Sequence, residues 1–511
     1  MEMNVGYLLT NAASHFPNKT ALAFEGKEVP YWEFNDRVNR LAHFLIGTGV
    51  EKGARVSTLM NNCSAQLEIY LACAKIGAIF APFNCRLKER ELEYLIRNSG
   101  AHILFFSKDY AKEVTYLNSL SQLTTSLCVD SPDAESSDYA KALKGSSGTE
   151  PDVVVHQSDA CQLLYTSGTT GKPKGVILSH KNIVWNAMNS VMARGDHSEE
   201  RFLLVGPLYH AAGLNSHFTS KLAIGASVVI MKNFDARRML SLIEQYRVTT
   251  VSAAPSLFHI LFQFQEINSY DLSSVTSCSV GSAICPENIK KDIFRHFPKV
   301  TGIMDVYGQT EATCNISVLA AKDWERKKGS VGKTVPFSQV RIVDDQDRDL
   351  PAGEIGELIC RGPNVMEGYY NNPEAAQSAL RGGWLHTGDL ARKDEEGYIY
   401  IAGRIKDMVI TGGENVYPRE VEDLLLEHPN VKEAVIIGVP DPKWGEAVKA
   451  VIVIHDGKQA SEEEIIHFCK QSIAHYKAPK SVNFVNELPR NASGKIDKEN
   501  LKRSFGVGSS L

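Results

Sequence analysis

The sequence predicts an α/β chain, with a large N-terminal domain of two doubly wound α/β subdomains plus a small β-barrel, followed by a small α+β C-terminal domain. Three observations carry this. Short apolar runs alternate with amphipathic segments through roughly the first 300 residues, which is the rhythm of parallel sheets covered by helices. From about Ser330 the pattern changes to short strands separated by Gly and Pro, the habit of a small antiparallel barrel. Beyond Gly403 a compact set of strands and helices follows.

In the first run, strands are predicted over 56–60, 78–83 and 102–106, and helices over 66–75 and 88–99. The second run repeats it, with strands over 202–205, 227–231, 250–253, 275–280 and 302–306, and helices over 235–246, 256–264 and 287–297. Strands over 340–343, 357–360 and 398–401 make the barrel-like stretch. In the last part, strands at 431–439 and 448–454 accompany helices at 418–428 and 461–473. Val421, Leu424 and Leu425 sit at i, i+3, i+4 and form a core-facing stripe. No internal repeat is present, and the one low-complexity stretch is Gly145–Thr149.

Composition narrows the functional classes. The 511 residues hold 55 Lys+Arg against 60 Asp+Glu, and 43% are hydrophobic, which allows a large buried core and excludes fibrous and disordered classes. A net charge of −5 lacks the basic excess that replaces phosphate counterions, so nucleic acid is not the expected partner. The ten cysteines are scattered without a C-x-x-C pair and read as small buried hydrophobes of a reducing compartment. No run of about 18 apolar residues and no signal peptide is present, so no transmembrane segment and a cytoplasmic location are expected. A homodimer is the base-rate expectation.

The most informative segment is Thr166-Ser167-Gly168-Thr169-Thr170-Gly171-Lys172-Pro173-Lys174-Gly175, set between strand-like 161–165 and 176–178. Hydroxyl, glycine and lysine residues in one turn present backbone N–H, O–H and positive charge to a polyphosphate. It is not a Walker A loop, because Pro173 stands where the second glycine would be. The string from Tyr165 to Gly175 resembles the phosphate loop of the adenylate-forming superfamily, which includes acyl-CoA synthetases, adenylation domains of peptide synthetases and luciferases.

Further segments resemble that superfamily in order along the whole chain. The stretch Pro207-Leu208-Tyr209-His210-Ala211-Ala212-Gly213-Leu214 is similar to the one that lines the mouth of an acyl pocket. With it the resemblance implies an acyl pocket of Trp185, His210, Ala211, Ala212, Gly213, Ser216 and Gly281, mostly small and uncharged, with His210 also at the catalytic end. Asp305-Val306-Tyr307-Gly308-Gln309-Thr310-Glu311 resembles the segment that holds adenine against the Tyr, touches the α-phosphate with Thr310 and assists Mg²⁺ with Glu311, a hard oxygen donor. Upstream, Gly281-Ser282-Ala283 takes the place of the turn that walls adenine, although Val280 and Ser282 depart from the commoner pattern.

Toward the C-terminus the resemblance implies that Asp389 takes both ribose hydroxyls, Arg404 contacts ribose or phosphate, and Lys406 is the hinge of a mobile C-terminal domain. The expected boundary therefore lies between 403 and 404. Gly412, Gly413 and Glu414 would line the CoA tunnel, and Lys495 would be the catalytic lysine. The implied activity is ATP-dependent carboxylic acid–CoA ligation through acyl-AMP, with ATP, Mg²⁺ and CoA as cofactors and the substrates bound between the two domains. A medium- to long-chain fatty acid is the expected acid; an aryl or alicyclic acid, or loading of a carrier protein, is the alternative. A peptide-synthetase domain is disfavoured because no Asp follows 207–214 to hold an α-amino group, and a dead binding protein because the motif residues are intact.

Overall fold

The computed structural model describes residues 3–120, 123–130, 138–166, 172–281, 285–491 and 495–505. Its contacts divide the chain into two compact units, Met1–Val340 with Cys360–His386, and Arg341–Ile359 with Thr387–Leu511. Among the described residues no helix is long and apolar enough to cross a membrane.

The first unit contains two large sheets. In the nine-stranded one the order is Lys333–Thr334, Ser317–Leu319, Ile303–Tyr307, Ser277–Gly281, Thr250–Ala253, Arg201–Leu204, Ser227–Ile230, Thr20–Phe24 and Lys27–Pro30. The six strands from Ile303–Tyr307 to Thr20–Phe24 run parallel, and the antiparallel strands lie at the edges. Parallel strands are covered on both faces, so they read as continuous apolar runs: every residue of Thr250–Ala253 and Ser227–Ile230 is buried. Helices such as Ala236–Tyr246 and Glu287–His296 present Met239, Leu240, Ile243, Ile289 and Ile293 to one continuous core.

The seven-stranded sheet has the order Gly368–Tyr369, Lys174–Ser179, Ala160–Thr166, Ile79–Pro82, Arg55–Leu59, Ile103–Phe106 and Thr125–Cys128. The doubly wound pattern holds, but the two subdomains are not the two consecutive runs that the rhythm suggests. Thr20–Phe24, near the N-terminus, pairs in parallel with Ser227–Ile230, and Gly368–Tyr369 returns to pair with Lys174–Ser179. Local periodicity carries no information about such distant partners.

Gln339–Val343, Gly356–Arg361, Leu385–Lys393 and Ile399–Arg404, most of whose residues belong to the second unit, form a four-stranded sheet where the sequence suggests a small barrel. A second sheet is ordered Glu414–Val416, Val409–Thr411, Gly445–Ile454, Val431–Asp441, with Ser481–Phe484 also on Gly445–Ile454. Alternation sorts its two faces. Ile436, Val448, Ala450 and Ile452 pack with Val421, Leu425, Ile465 and Cys469 of two helices, and Leu424 is partly buried against the same core. Val435, Ile437, Val451 and Val453 pack with Leu488 and Leu501. All ten cysteines are free thiols; six are buried as expected, whereas Cys63, Cys85, Cys128 and Cys314 are only half-buried.

Candidate active site

Three parallel strands of the nine-stranded sheet deliver candidate residues at their carboxyl ends, where ligands of open α/β sheets gather. Arg201–Leu204 leads into 207–214, Ser277–Gly281 ends on Gly281, and Ile303–Tyr307 brings Asp305, Val306 and Tyr307. Gly281 and Val306 are register partners, so two of these segments are side by side.

After Tyr307 the chain turns sharply. A Cβ on Gly308 would lie 1.7 Å from the Cys314 carbonyl oxygen, so only glycine fits. Thr310 and Glu311 open a short 3₁₀ turn, Thr310–Ala312, whose C-terminal residue Thr313 has φ 59°. A non-glycine residue in the left-handed region is strained, and buried partners hold it. Thr313 Oγ1 donates to the Asn364 carbonyl at 2.5 Å, and Asn364 Nδ2 donates to the carbonyls of Ala312 and Asn315 at 3.1 and 3.0 Å. Asn315 N–H donates to Asn186 Oδ1, and Asn315 Nδ2 to Ser190 Oγ and Ser216 Oγ. The helix His180–Arg194 thus points a column of buried amides, Asn182, Asn186 and Asn189, at the loops around the site. Such fully engaged amides rigidify a backbone, because an unpaired one costs about 1–3 kcal/mol when buried.

The expected acyl-pocket residues Ala212, Gly213 and Ser216 lie in one π-helical segment, Ala212–Phe218, a rare winding that recurs at functional sites. Gly213 is required there, since a Cβ would meet the Pro207 carbonyl at 2.5 Å. Asn62 clamps the preceding loop, donating to the Gly206 carbonyl at 3.0 Å and accepting from Leu208 N–H at 2.9 Å. The His210 ring lies 4.7 Å from that of Tyr209, tilted by 57°, and Trp185 meets Phe337 edge-on at 4.9 Å. A cluster of charged side chains lies behind Ser216. Arg194 Nη1 donates to Ser216 Oγ at 3.0 Å, and Arg194 is paired with Asp196, which also takes Lys221 at 2.8 Å. These charges are buried and mutually compensated, which is the condition under which a core accepts them.

On the other sheet, Ala160–Thr166 and Lys174–Ser179 form an antiparallel hairpin with Thr166 and Lys174 as register partners. Lys172 is exposed over the Tyr94 ring, and Lys174 Nζ lies 5.0 Å from the centre of the Tyr369 ring. Ser167, Gly168, Thr169, Thr170 and Gly171 lie outside the described residues, as do Ser282 and Ala283. Tyr369 Oη donates to Glu311 Oε1 at 2.9 Å, and Met366 N–H donates to the Glu311 carbonyl at 2.8 Å. Tyr369 and the amide column carry no motif signal that sequence reasoning weighed; only hydrogen-bond partners reveal them.

In the second unit, Asp389 and Arg404 are register partners on adjacent strands and form an ion pair of 2.8 Å. Asp389 is 5% exposed. Its N–H donates to Thr387 Oγ1, and Gly388, at φ 70°, donates to Glu357. Lys406 is exposed in the short turn Ile405–Asp407. Gly412 and Gly413, at φ 61° and 86°, are the two-residue tip of the hairpin formed by Val409–Thr411 and Glu414–Val416. Glu414 and Lys495 are exposed.

Comparison with known proteins gives the family. Residues 9–370 match the family model of the AMP-binding enzyme, and residues 420–495 that of the AMP-binding enzyme C-terminal domain. A feruloyl-CoA synthase of an Amycolatopsis species is 38% identical over 96% of each chain. A long-chain-fatty-acid–CoA ligase of Bacillus subtilis is 35% identical over 97% of this chain and 93% of its own. The crystal structure of the anthranilate CoA ligase AuaEII in complex with anthranoyl-AMP superimposes with a TM-score of 0.91 at 28% identity, covering 100% of this chain and 98% of that one. The chain belongs to the AMP-binding enzyme family of the adenylate-forming superfamily, and within it to the AMP-forming acyl-CoA synthetases.

Proposed function

We propose that the chain ligates CoA to a compact apolar carboxylic acid, an aromatic one in first place. The observation that carries this is the wall behind Ser216, whose hydroxyl accepts from the buried side chains of Arg194 and Asn315. A closed polar wall suits a short ring better than a long flexible chain. The likeness to a feruloyl-CoA synthase and an anthranilate CoA ligase supports the same reading. The medium- to long-chain fatty acid expected from the sequence is the second reading, favoured by the small side chains of Ala211, Ala212 and Gly213 and by the Bacillus relative.

In the first step the acid's carboxylate oxygen attacks the α-phosphorus of ATP and the bond to pyrophosphate breaks. No general base is required, because a carboxylic acid is ionised at pH 7. Tyr307 would face the adenine, Asp389 the ribose hydroxyls, and Thr310, Lys174 and Lys495 the phosphate on which charge develops. Fixed donors aimed at developing charge are the main source of such rate enhancement. Glu311 fits an Mg²⁺ held chiefly by substrate phosphates: it offers one hard carboxylate, and among the described residues no group of three or more His, Cys, Asp or Glu gathers. That ion would neutralise phosphate charge when bound. In the second step the thiol of CoA attacks the acyl carbon and AMP leaves. For this step we assign Gly412, Gly413 and Glu414 to the pantetheine arm and Lys406 to the hinge, with the functional boundary at 403/404. The short exposed turn Ile405–Asp407 suits a hinge because large φ/ψ changes are absorbed at element ends.

The test is ATP–pyrophosphate exchange over hydroxycinnamates, benzoates, arylacetates and C8–C18 fatty acids, repeated with CoA. Exchange and thioester with aryl acids alone are expected. Preference for the fatty acids would turn the reading to the second one, and exchange without thioester would move the acyl group to a carrier.

A further inference from the structure

Tyr369 connects two pieces of the nucleotide site that come from different sheets. Its strand, Gly368–Tyr369, is hydrogen-bonded to Lys174–Ser179 with Tyr369 opposite Val176, two residues after Lys174. Tyr370 N–H donates to the Gly175 carbonyl at 2.8 Å, so the segment is fastened to the flank of the phosphate loop on both sides of Tyr369. The ring lies under the Lys174 ammonium at 5.0 Å, and the hydroxyl donates to Glu311 Oε1 at 2.9 Å. Glu311 itself stands at the end of the nine-stranded sheet, on a turn whose backbone is tied down by Asn364 and Met366.

A half-buried carboxylate with one oxygen held by a phenol has a fixed plane. The lone pairs of its other oxygen then point in one direction, which is what a small ion with strict geometry requires of a protein ligand. The cation–π contact holds the ring and the lysine together, so the phosphate-binding ammonium and the carboxylate keep a set separation. Partners that orient a metal ligand without touching the metal typically change affinity about 10–100-fold when removed.

We propose that Tyr369 is a positioning residue that orients Glu311 for the divalent cation and couples it to Lys174 on the phosphate loop. This rests on the assignment of Glu311 to the cation. Removing the hydroxyl leaves the ring under Lys174 while the Glu311 carboxylate loses its hydrogen bond, so Tyr369→Phe separates that bond from the ring contact.

The experiment is Mn²⁺ binding in the presence of ATP and without acid, followed by electron paramagnetic resonance, for the wild type, Tyr369→Phe and Glu311→Gln. Mn²⁺ affinity is expected to fall about tenfold in Tyr369→Phe and further in Glu311→Gln, with unchanged melting temperatures. In pyrophosphate exchange, Tyr369→Phe is expected to raise the Mg²⁺ requirement while kcat recovers at saturating Mg²⁺; general damage to the fold would instead lower kcat at every Mg²⁺ concentration. Weakened binding in Glu311→Gln with wild-type binding in Tyr369→Phe would overturn the proposal alone. Wild-type Mn²⁺ binding in Glu311→Gln would overturn the assignment of Glu311 and the proposal with it. Should Tyr369→Phe melt early, Lys174→Met supplies the second arm, since loss of the coupling predicts a raised Mg²⁺ requirement there too, and its absence overturns the proposal.

Discussion

The turn at 305–311 in the first unit and the hairpin at 409–416 in the second carry comparable densities of candidate residues, and they are held in opposite ways. The turn is locked by contact: Gly308 touches backbone, Thr313 is strained, and Asn364 and Asn186 fill the carbonyls and N–H groups around it. The hairpin is held at its base, where Val409 and Val416 are buried, Thr411 pairs with Gly445 and Gly412 N–H donates to the Trp444 carbonyl at 2.8 Å, while its tip, Gly412 and Gly413, is exposed, as are Lys406 and Lys495. A site that must present fixed donors to a phosphate gains from the first arrangement. A segment that meets a ligand arriving from solvent gains from the second, because its tip is exposed while its base stays fixed.

Replacing the two kinds of glycine breaks this contrast most directly. Gly308→Ala drives a methyl group into the Cys314 carbonyl, and a loss of about 3 kcal/mol or more is expected, read as a collapsed melting transition and absent exchange activity. Gly413→Ala has open space around its Cβ and a φ of 86°, so it should cost about 1 kcal/mol and affect thioester formation more than exchange. Equal losses in the two variants would erase the difference.

Next in size is Asn364→Ala, which leaves the carbonyls of Ala312 and Asn315 without their buried donor. A destabilisation of about 2–4 kcal/mol is expected in denaturant titration, together with weaker ATP binding. Lys495→Ala, at an exposed position, is expected to leave the melting temperature alone while lowering exchange at least about 100-fold. A Lys495→Ala protein with full exchange would remove that residue from the catalytic set.

A smaller effect follows pH. His180 is fully buried, its Nδ1 accepts the Val5 N–H at 3.2 Å, and burial pushes its pKa down to about 4, with Asp159 and Lys52 acting in opposite senses. The unfolded chain has a histidine pKa near 6.5. Between about pH 6.5 and 4 the unfolded state therefore binds more protons, and stability rises with pH. The contribution is complete above about pH 6.5 and lost as pH falls toward 4, a loss of about 2 kcal/mol by pH 5. Protonation also breaks the Val5 bond that anchors the first helix, Val5–His15. His180→Gln should flatten the fall of the melting temperature between pH 7 and 5; an unchanged slope would assign it to other groups.

Much of this was legible in the residues. Strand 250–253 and the helices at 287–297 and 461–473 fall within one or two residues of their observed ends, because their signals are local: a short apolar run for the strand, amphipathic spacing for the helices, and the Ser461–Glu464 cap for the last. The strand Thr20–Phe24 was not legible as part of the nine-stranded sheet, since its partner Ser227–Ile230 lies about two hundred residues on and pairing leaves no mark on either segment. The same reason hides Tyr369 and Asn186. A tyrosine or asparagine in sequence has no direction, and its role here consists of the atom it reaches. The phosphate string was conspicuous by composition, while the partner that orients Glu311 was silent.

The pairing of Thr166 with Lys174 has a bearing on how this enzyme family can be redesigned. Because Thr166 and Lys174 are neighbours on a ladder, the pairing of the two strands alone sets the separation of the loop's two stumps. What the ladder does not permit is a slip. Moving one strand by a single position would turn Lys174 to the opposite face of the sheet, away from Tyr369, so graft junctions belong inside 167–173 and never within the strands.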